Sequence, residues 1–206
     1  MVELKLAGGP RALIAMTGQK RSGKDTVAGF FVDEAHFEKV AFAGPLKGMI
    51  MSLFRSAGLS EEEAEERVNG SEESKEEALD VLQGKSSRFA MQKLGTEWRN
   101  FFGPHLWSDI VKAKVDSTDR VVLTDMRFLH ESAFVRERDG FQVRVRRAGQ
   151  KKGVDLHPSE TEMEKIMVDA TIYNHGSLQS LHAAAQLVLL ASRIGSDKIY
   201  INFESI

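Results

Sequence analysis

The sequence predicts a three-layer α/β fold with a central parallel sheet of five strands. Three observations carry this. Short apolar runs alternate with helix-period segments, the pattern of βαβ units rather than of hairpins. The first run, Ala12-Leu13-Ile14-Ala15-Met16, leads through a glycine loop into the helix-like Val27-Ala28-Gly29-Phe30-Phe31. Each strand-like run also stops at polar or glycine residues, where an open α/β sheet places its ligands. Strands are expected near 12–17, 39–42, 120–124, 142–146 and 170–173, so that their carboxyl ends carry Gly18, Gly44, Asp125, Arg147 and Asn174. With 206 residues, 42% of them apolar, the chain suffices for one domain with a full core. A helical segment at about 45–115 and a loop at about 147–160 would be set into it.

The loop after the first strand reads Gly18-Gln19-Lys20-Arg21-Ser22-Gly23-Lys24-Asp25-Thr26. Strand, glycine loop, lysine and helix form the layout of a phosphate-binding loop. Gly18 and Gly23 let the backbone turn its N–H groups inward, where they and the helix N-terminus cradle a polyphosphate. Lys24 adds a point charge for the β- and γ-phosphates. Asp25 follows it, and the hydroxyl usual at that place comes one residue later, as Thr26. A carboxylate there suits Mg²⁺, directly or through water.

Bulk properties exclude several classes. A net charge of −2 provides no basic field for nucleic acid or an acidic membrane. Without cysteine there is no disulfide, thiolate or zinc-thiolate chemistry. Glu3, Lys5 and Gly8-Gly9-Pro10 interrupt any secretory leader, and the longest apolar stretch, 183–191, is half a membrane span and contains Gln186. A cytoplasmic protein is expected.

Residues 60–83 are rich in glutamate and read as a solvated helical hairpin turning at Asn69-Gly70-Ser71, in a position that would also suit a cap over the site. In 87–111, Gly95 is expected to separate two helices. Arg88 and Gln92, four apart, share a helix face; a guanidinium fork suits a phosphate dianion and an amide suits a base edge, although each alone also reads as solvated surface. Trp98, Phe101 and Phe102 read as core.

The run Arg120-Val121-Val122-Leu123-Thr124 ends in Asp125, the place of an acid that holds Mg²⁺ or its waters beside a phosphate loop, and Arg127 follows within reach of a phosphate. Arg144, Arg146 and Arg147 precede Gly149-Gln150-Lys151-Lys152-Gly153, a basic loop that reads as a lid over transferring phosphates, or else as a solvated loop. Ser159 and Glu162 have the spacing of a capping box, and His157 has no second ligand nearby for a metal. Asn174-His175-Gly176-Ser177 ends the last strand; Ser177 suits an N-cap, and Asn174 and His175 could border a purine.

These segments resemble the deoxynucleoside monophosphate kinases of tailed bacteriophages, within the wider nucleoside monophosphate kinase group. The resemblance lies in 18–26 (GQKRSGKDT), 43–47 (AGPLK), 91–96 (MQKLGT), 125–128 (DMRF), 147–151 (RAGQK), 157–160 (HPSE) and 174–178 (NHGSL). It implies a P-loop kinase fold, ATP and Mg²⁺ as the donor system, and a deoxynucleoside monophosphate as acceptor. Gly18, Lys20, Arg21, Ser22, Gly23, Lys24, Asp25 and Thr26 would hold the donor, and Asn174 would lie near its adenine. Lys47, Arg88, Gln92, Thr96, Trp98, Arg99 and Arg127 are the candidates for the acceptor. Asp25, Thr26 and Asp125 are candidates for the metal; Lys24, Arg127, Arg147 and Asp125 for the chemistry, with Arg147 in the lid and Lys151 aiding it. The acidic segment is not carried by the resemblance. Related kinases of dephospho-coenzyme A or phosphomevalonate share such loops, and a nucleotide-dependent switch is the reading from another class. The alternation in 198–203 suits an edge strand or a homodimer contact.

Overall fold

The computed structural model describes residues 12–147, 149 and 158–194. β1 (Ala12–Thr17) leads into α1 (Lys24–Asp33) and β2 (Glu38–Val40). Then come α2 (Gly44–Ser56), α3 (Glu61–Asn69), α4 (Glu72–Glu76), the short strands β3 (Ala78–Leu79) and β4 (Lys85–Ser86), α5 (Ser87–Phe102) and α6 (Leu106–Ser117). β5 (Arg120–Leu123), α7 (Leu129–Arg136), β6 (Phe141–Arg147), α8 (Pro158–Met163), β7 (Ala170–Asn174) and α9 (Leu178–Ile194) complete the order. The chain packs as two compact units, Phe42–Val111 and the remainder.

The sheet unit has five parallel strands in the order β2-β5-β1-β6-β7. The steps from β1 to β2 and from β5 to β6 run in opposite directions, so right-handed crossovers put α1 and α7 on opposite faces. The reversal occurs at β1, and the carboxyl end of β1 is therefore the expected ligand crevice. Ile14, Met16, Val122, Val143 and Val145 of the sheet pack with Val27, Ala28 and Phe31 of α1 and Ala184, Ala185 and Val188 of α9. β2 stops at Val40, short of the expected Phe42, because Pro45 sits in the first turn of α2 and the chain must turn ahead of it. β6 contains Arg144 and Arg146, as expected, and runs one residue further, through Arg147.

The other unit is a helical cluster. Leu46, Ile50 and Phe54, four apart along α2, are its buried residues, and Ile50 and Phe54 pack with Ala64 and Val68 of α3 and with Ala90, Met91 and Leu94 of α5. α5 passes unbroken through Gly95, contrary to the expected division. A Cβ at Gly95 would lie 3.2 Å from Leu46 Cδ2, and the Gly95 carbonyl accepts the Trp107 indole N–H at 3.0 Å. This glycine serves close approach, and the helix ends instead at Gly103 with φ of 117°. Phe101 and Phe102 are 83% and 60% exposed, not core, since they stand on the last turn of α5, beyond its contacts at Gly95 and Trp98. Trp98 is half-buried, stacked 6.2 Å from the buried Trp107.

The acidic segment is bonded rather than simply solvated. It forms α3 and α4 with the turn at Gly70, then the β3–β4 hairpin. Glu63 and Ser60 form a reciprocal capping box at 2.8 and 3.2 Å, Glu61 takes the Nε–Nη2 edge of Arg55 with both bonds at 2.5 Å, and Glu77 pairs with Arg67. Glu66 accepts from Ser74 Oγ at 2.5 Å and from the Ser71 N–H at 3.0 Å. Lys151, His157 and 198–203 lie outside the described residues. Among the described residues no helix is long and apolar enough to cross a membrane.

These bonds hold the carboxyls of Glu61 (from Arg55), Glu63 (from the Ser60 N–H), Glu66 (from Ser74) and Glu77 (from Arg67) below their ordinary value of 4.5. A lowered native value stabilises the folded state above the ordinary carboxyl range, and that contribution is lost as pH falls through the lowered values. Both tryptophans, Trp98 and Trp107, belong to this unit, so their fluorescence reports it. The urea midpoint followed by tryptophan emission should be flat from about pH 7 to 5.5 and fall below about pH 4.5. A midpoint constant down to about pH 3 would contradict the pairing.

Candidate active site

The loop between β1 and α1 is shaped by two positions that have no room for a side chain. Gly18, φ 144°, faces β6 so closely that a Cβ would stand 2.3 Å from the Val145 carbonyl oxygen. At Gly23, φ 105°, a Cβ would stand 2.6 Å from Asn174 Nδ2. Gly23 is also the N-cap of α1, and no side chain caps that helix. The first N–H groups of α1 are therefore available to an anion, with the positive end of the helix dipole behind them. Lys24 Nζ folds back to donate to the carbonyls of Gly18 (2.6 Å) and Gln19 (2.8 Å). Lys20 and Arg21 are exposed on the loop, and the Ser22 hydroxyl is buried beneath it.

Asn174, at the end of β7, is buried and donates Nδ2–H to the Ser22 carbonyl at 2.9 Å, while its Oδ1 accepts the Gly176 N–H at 3.0 Å. Its amide is turned to the loop backbone. Ser177 caps α9, accepting the Ser180 N–H at 3.0 Å, as its place in the sequence suggests. Arg147 Nη1 approaches the Arg21 carbonyl at 3.5 Å.

Asp25 and Thr26 leave α1 in different directions. Asp25 is 85% exposed and pairs with Lys39 of β2 at 3.4 Å. Thr26 lines a groove of about 420 Å³ with Phe30, Leu178 and His182. Past the end of β5 the backbone stays extended, with Thr124 N–H on the Val40 carbonyl (3.2 Å) and Met126 N–H on the Met16 carbonyl (3.1 Å), which sets Asp125 between the ends of β2 and β1. Asp25 and Asp125 each carry hard carboxylate oxygens. No group of three or more metal-ligating side chains occurs among the described residues. That donor set fits Mg²⁺, which binds through one or two carboxylates together with phosphate and water.

Two carboxylates fix the turn that carries Arg127. Buried Glu131 accepts the Arg127 N–H at 2.7 Å and the Phe128 N–H at 3.1 Å, and Glu162 accepts the Leu129 N–H at 2.8 Å. Glu162 thereby links α8, which begins at Pro158, to this turn. Arg144 is buried, donating Nη2–H to the carbonyls of Met163 (2.9 Å) and Ile166 (2.7 Å), and burial lowers its pKa. It holds the end of α8 rather than facing a ligand. Arg146 pairs with Glu164 at 2.7 Å.

In the helical unit, the continuity of α5 brings Arg88, Gln92, Thr96 and Arg99 to one face, with Trp98 off to the side against Trp107. Arg88 pairs with Glu72 and, through Nε, with Glu76 at 2.6 Å. Lys47 Nζ donates to Asn69 Oδ1 at 2.9 Å. The roles of Glu131 and Asn174 escaped the sequence. The only signal for Glu131 was its spacing three residues after Phe128, and Asn174 bonds a carbonyl distant in the chain.

The family model for deoxynucleotide monophosphate kinase matches residues 12–86 and 60–184, which include the loop, Asp125, Arg127 and Asn174. The chain belongs to that family. It is a kinase, a nucleotide phosphotransferase. A protein of Acanthamoeba polyphaga mimivirus named "Putative deoxynucleotide monophosphate kinase" is 29% identical over 188 residues, 83% of this chain and 92% of that one. Among solved structures, a sugar kinase from Janibacter sp. HTCC2649 is similar at a TM-score of 0.41 and 14% identity, over 91% of this chain and 99% of its own. TT1252 from Thermus thermophilus is similar at 0.46 and 15%, over 88% and 98%. At these scores neither bears on the fold or the chemistry.

Asn174→Ala leaves the buried Ser22 carbonyl without its donor, a loss of about 1–3 kcal/mol. We expect a lower unfolding midpoint and triphosphate binding weakened about tenfold, measured by calorimetric titration with ATP. Unchanged affinity would show that the loop keeps its shape without β7.

Proposed function

We propose that this kinase transfers the γ-phosphoryl group of ATP to a deoxynucleoside monophosphate, giving ADP and a deoxynucleoside diphosphate. The observation that carries this is the loop at the end of β1: an uncapped helix N-terminus, two glycines without room for a side chain, and Lys24 folded back onto the loop carbonyls of Gly18 and Gln19.

Phosphoryl transfer asks for positioning and charge neutralisation more than for covalent help. The loop N–H groups hold the donor phosphates, and Lys24 moves from the Gly18 and Gln19 carbonyls to the β- and γ-oxygens. Asp25 and Asp125 would hold Mg²⁺, which would screen the phosphate charge. Arg88 and Lys47 of the helical unit serve the acceptor phosphate, and Arg127 of the sheet unit, on its carboxylate-braced turn, serves a phosphate. An oxygen of that phosphate attacks the γ-phosphorus while the bond to the bridging oxygen breaks, and the electron pair leaves with ADP. The acceptor phosphate, with a second pKa of about 6, is already largely a dianion near neutral pH, so no general base is required. Arg147 meets the charge that spreads over the transferring group.

ADP release from Mg-ATP, measured with each of the four deoxynucleoside monophosphates in turn and with products separated by chromatography, should show a diphosphate with at least one. ATP binding with no product from any of them, but turnover with dephospho-coenzyme A or phosphomevalonate, would move the acceptor to another class. Lys24→Met should cut turnover by about a thousandfold while the circular dichroism stays unchanged. Near-normal turnover would remove Lys24 from the mechanism.

A further inference from the structure

The acidic segment between α2 and α5 has no part in the mechanism above, yet its central turn holds Arg88 and Lys47, the two cations of the helical unit assigned there to the acceptor phosphate. We propose that residues 69–76 position the acceptor-phosphate cations: Glu72 and Glu76 hold Arg88, and Asn69 holds Lys47. The inference rests on the reading of Arg88 and Lys47 as acceptor residues.

α4 buries no residue, so it adds nothing to an apolar core. What it does present is Glu72 and Glu76, four apart on one helix face, and both meet Arg88. Arg88 sits in the first turn of α5, the positive end of that helix, where a cation is disfavoured. Two carboxylates offset this and fix the guanidinium. They take one Nη2 hydrogen and face Nε, which leaves the Nη1 edge of the fork for a second anion. A guanidinium already pinned on one edge loses less rotamer freedom when a phosphate binds the other.

Lys47 is held differently. Asn69 accepts from Lys47 Nζ at 2.9 Å, and Asn69 is itself fixed by donating Nδ2–H to Glu65 at 3.0 Å. A neutral amide orients the ammonium and leaves its charge intact. Ser71 and Ser74 cap the turn between these two contacts, with Glu66 bonded to both. One short turn, ordered by its own bonds, thus sets the direction of two cations.

The test is steady-state kinetics of the full chain with separate titrations of ATP and of the deoxynucleoside monophosphate that supports turnover. Glu72→Ala/Glu76→Ala should raise the acceptor KM about tenfold and leave the ATP KM unchanged, with tryptophan emission confirming that the unit is folded. Glu72→Gln/Glu76→Gln, which keeps an acceptor oxygen toward Arg88, should return to within about threefold of the parent. Asn69→Ala should raise the same KM through Lys47. Arg88→Ala is the companion measurement. If it raises the acceptor KM while the folded alanine pair does not, the positioning role is wrong and the reading of Arg88 stands. If Arg88→Ala leaves the acceptor KM unchanged, that reading fails and the proposal falls with it. A Gln pair as impaired as the Ala pair also overturns it. Should the alanine pair not fold, Glu76→Ala alone, at a carboxylate 58% exposed, carries the same comparison.

Discussion

Everything at the end of β1 depends on strand register. Thr17 stands opposite Arg144, so the next pair brings Gly18 against Val145, and Arg147 stands opposite Asn174. A slip of one residue in either pairing would turn the side chains to the other face of the sheet. With the register as it is, the Val145 carbonyl and the Asn174 amide close on the loop from β6 and β7, and any Cβ at positions 18 or 23 would collide. The loop is thereby fixed by backbone spacing rather than by its own side chains. Its N–H groups are preorganised before a ligand arrives, which is where electrostatic stabilisation gains most.

The capping pattern points the same way. Serine caps open α3, α4, α5 and α9, through Ser60, Ser71, Ser86 and Ser177. Such a cap is worth about 1 kcal/mol. α1 has none, and neither do α2, with Pro45 in its first turn, and α7, where Glu131 takes the Phe128 N–H ahead of the helix. At α1 the uncapped donors follow directly on the glycine loop.

The loop, the strand ends, Asp125 and the Ser177 cap were legible because each is a local matter of residue type and spacing. What the sequence hid were partners and packing. Gly95 looks like a helix breaker, but its neighbour is Leu46 on another helix, and close approach outweighs the cost of about 1 kcal/mol for glycine inside a helix. Phe101 and Phe102 carry the composition of a core, yet they stand exposed on the last turn of α5, beyond Gly95 and Trp98 where the neighbouring helices meet it. Arg144 and Arg147 are three residues apart in one basic run, and only the fold shows that the first is buried under α8 and the second exposed. Glutamates read as a solvated face prove to be bonded, because the arginines that meet them lie on other helices.

A phosphotransferase must keep several cations in place when no phosphate is bound, and the partners that hold them decide what binding costs. Lys24 donates to two backbone carbonyls of its own loop, partners that a polyphosphate can replace. Lys47 donates to the Asn69 amide oxygen. The Arg127 backbone N–H is held by Glu131. Arg88 meets two carboxylates directly. A lysine has one charged head with three rotatable donors; an arginine can keep a carboxylate on one edge and offer the other to a phosphate. That accounts for an arginine, rather than a lysine, at the position where α4 brings two glutamates together.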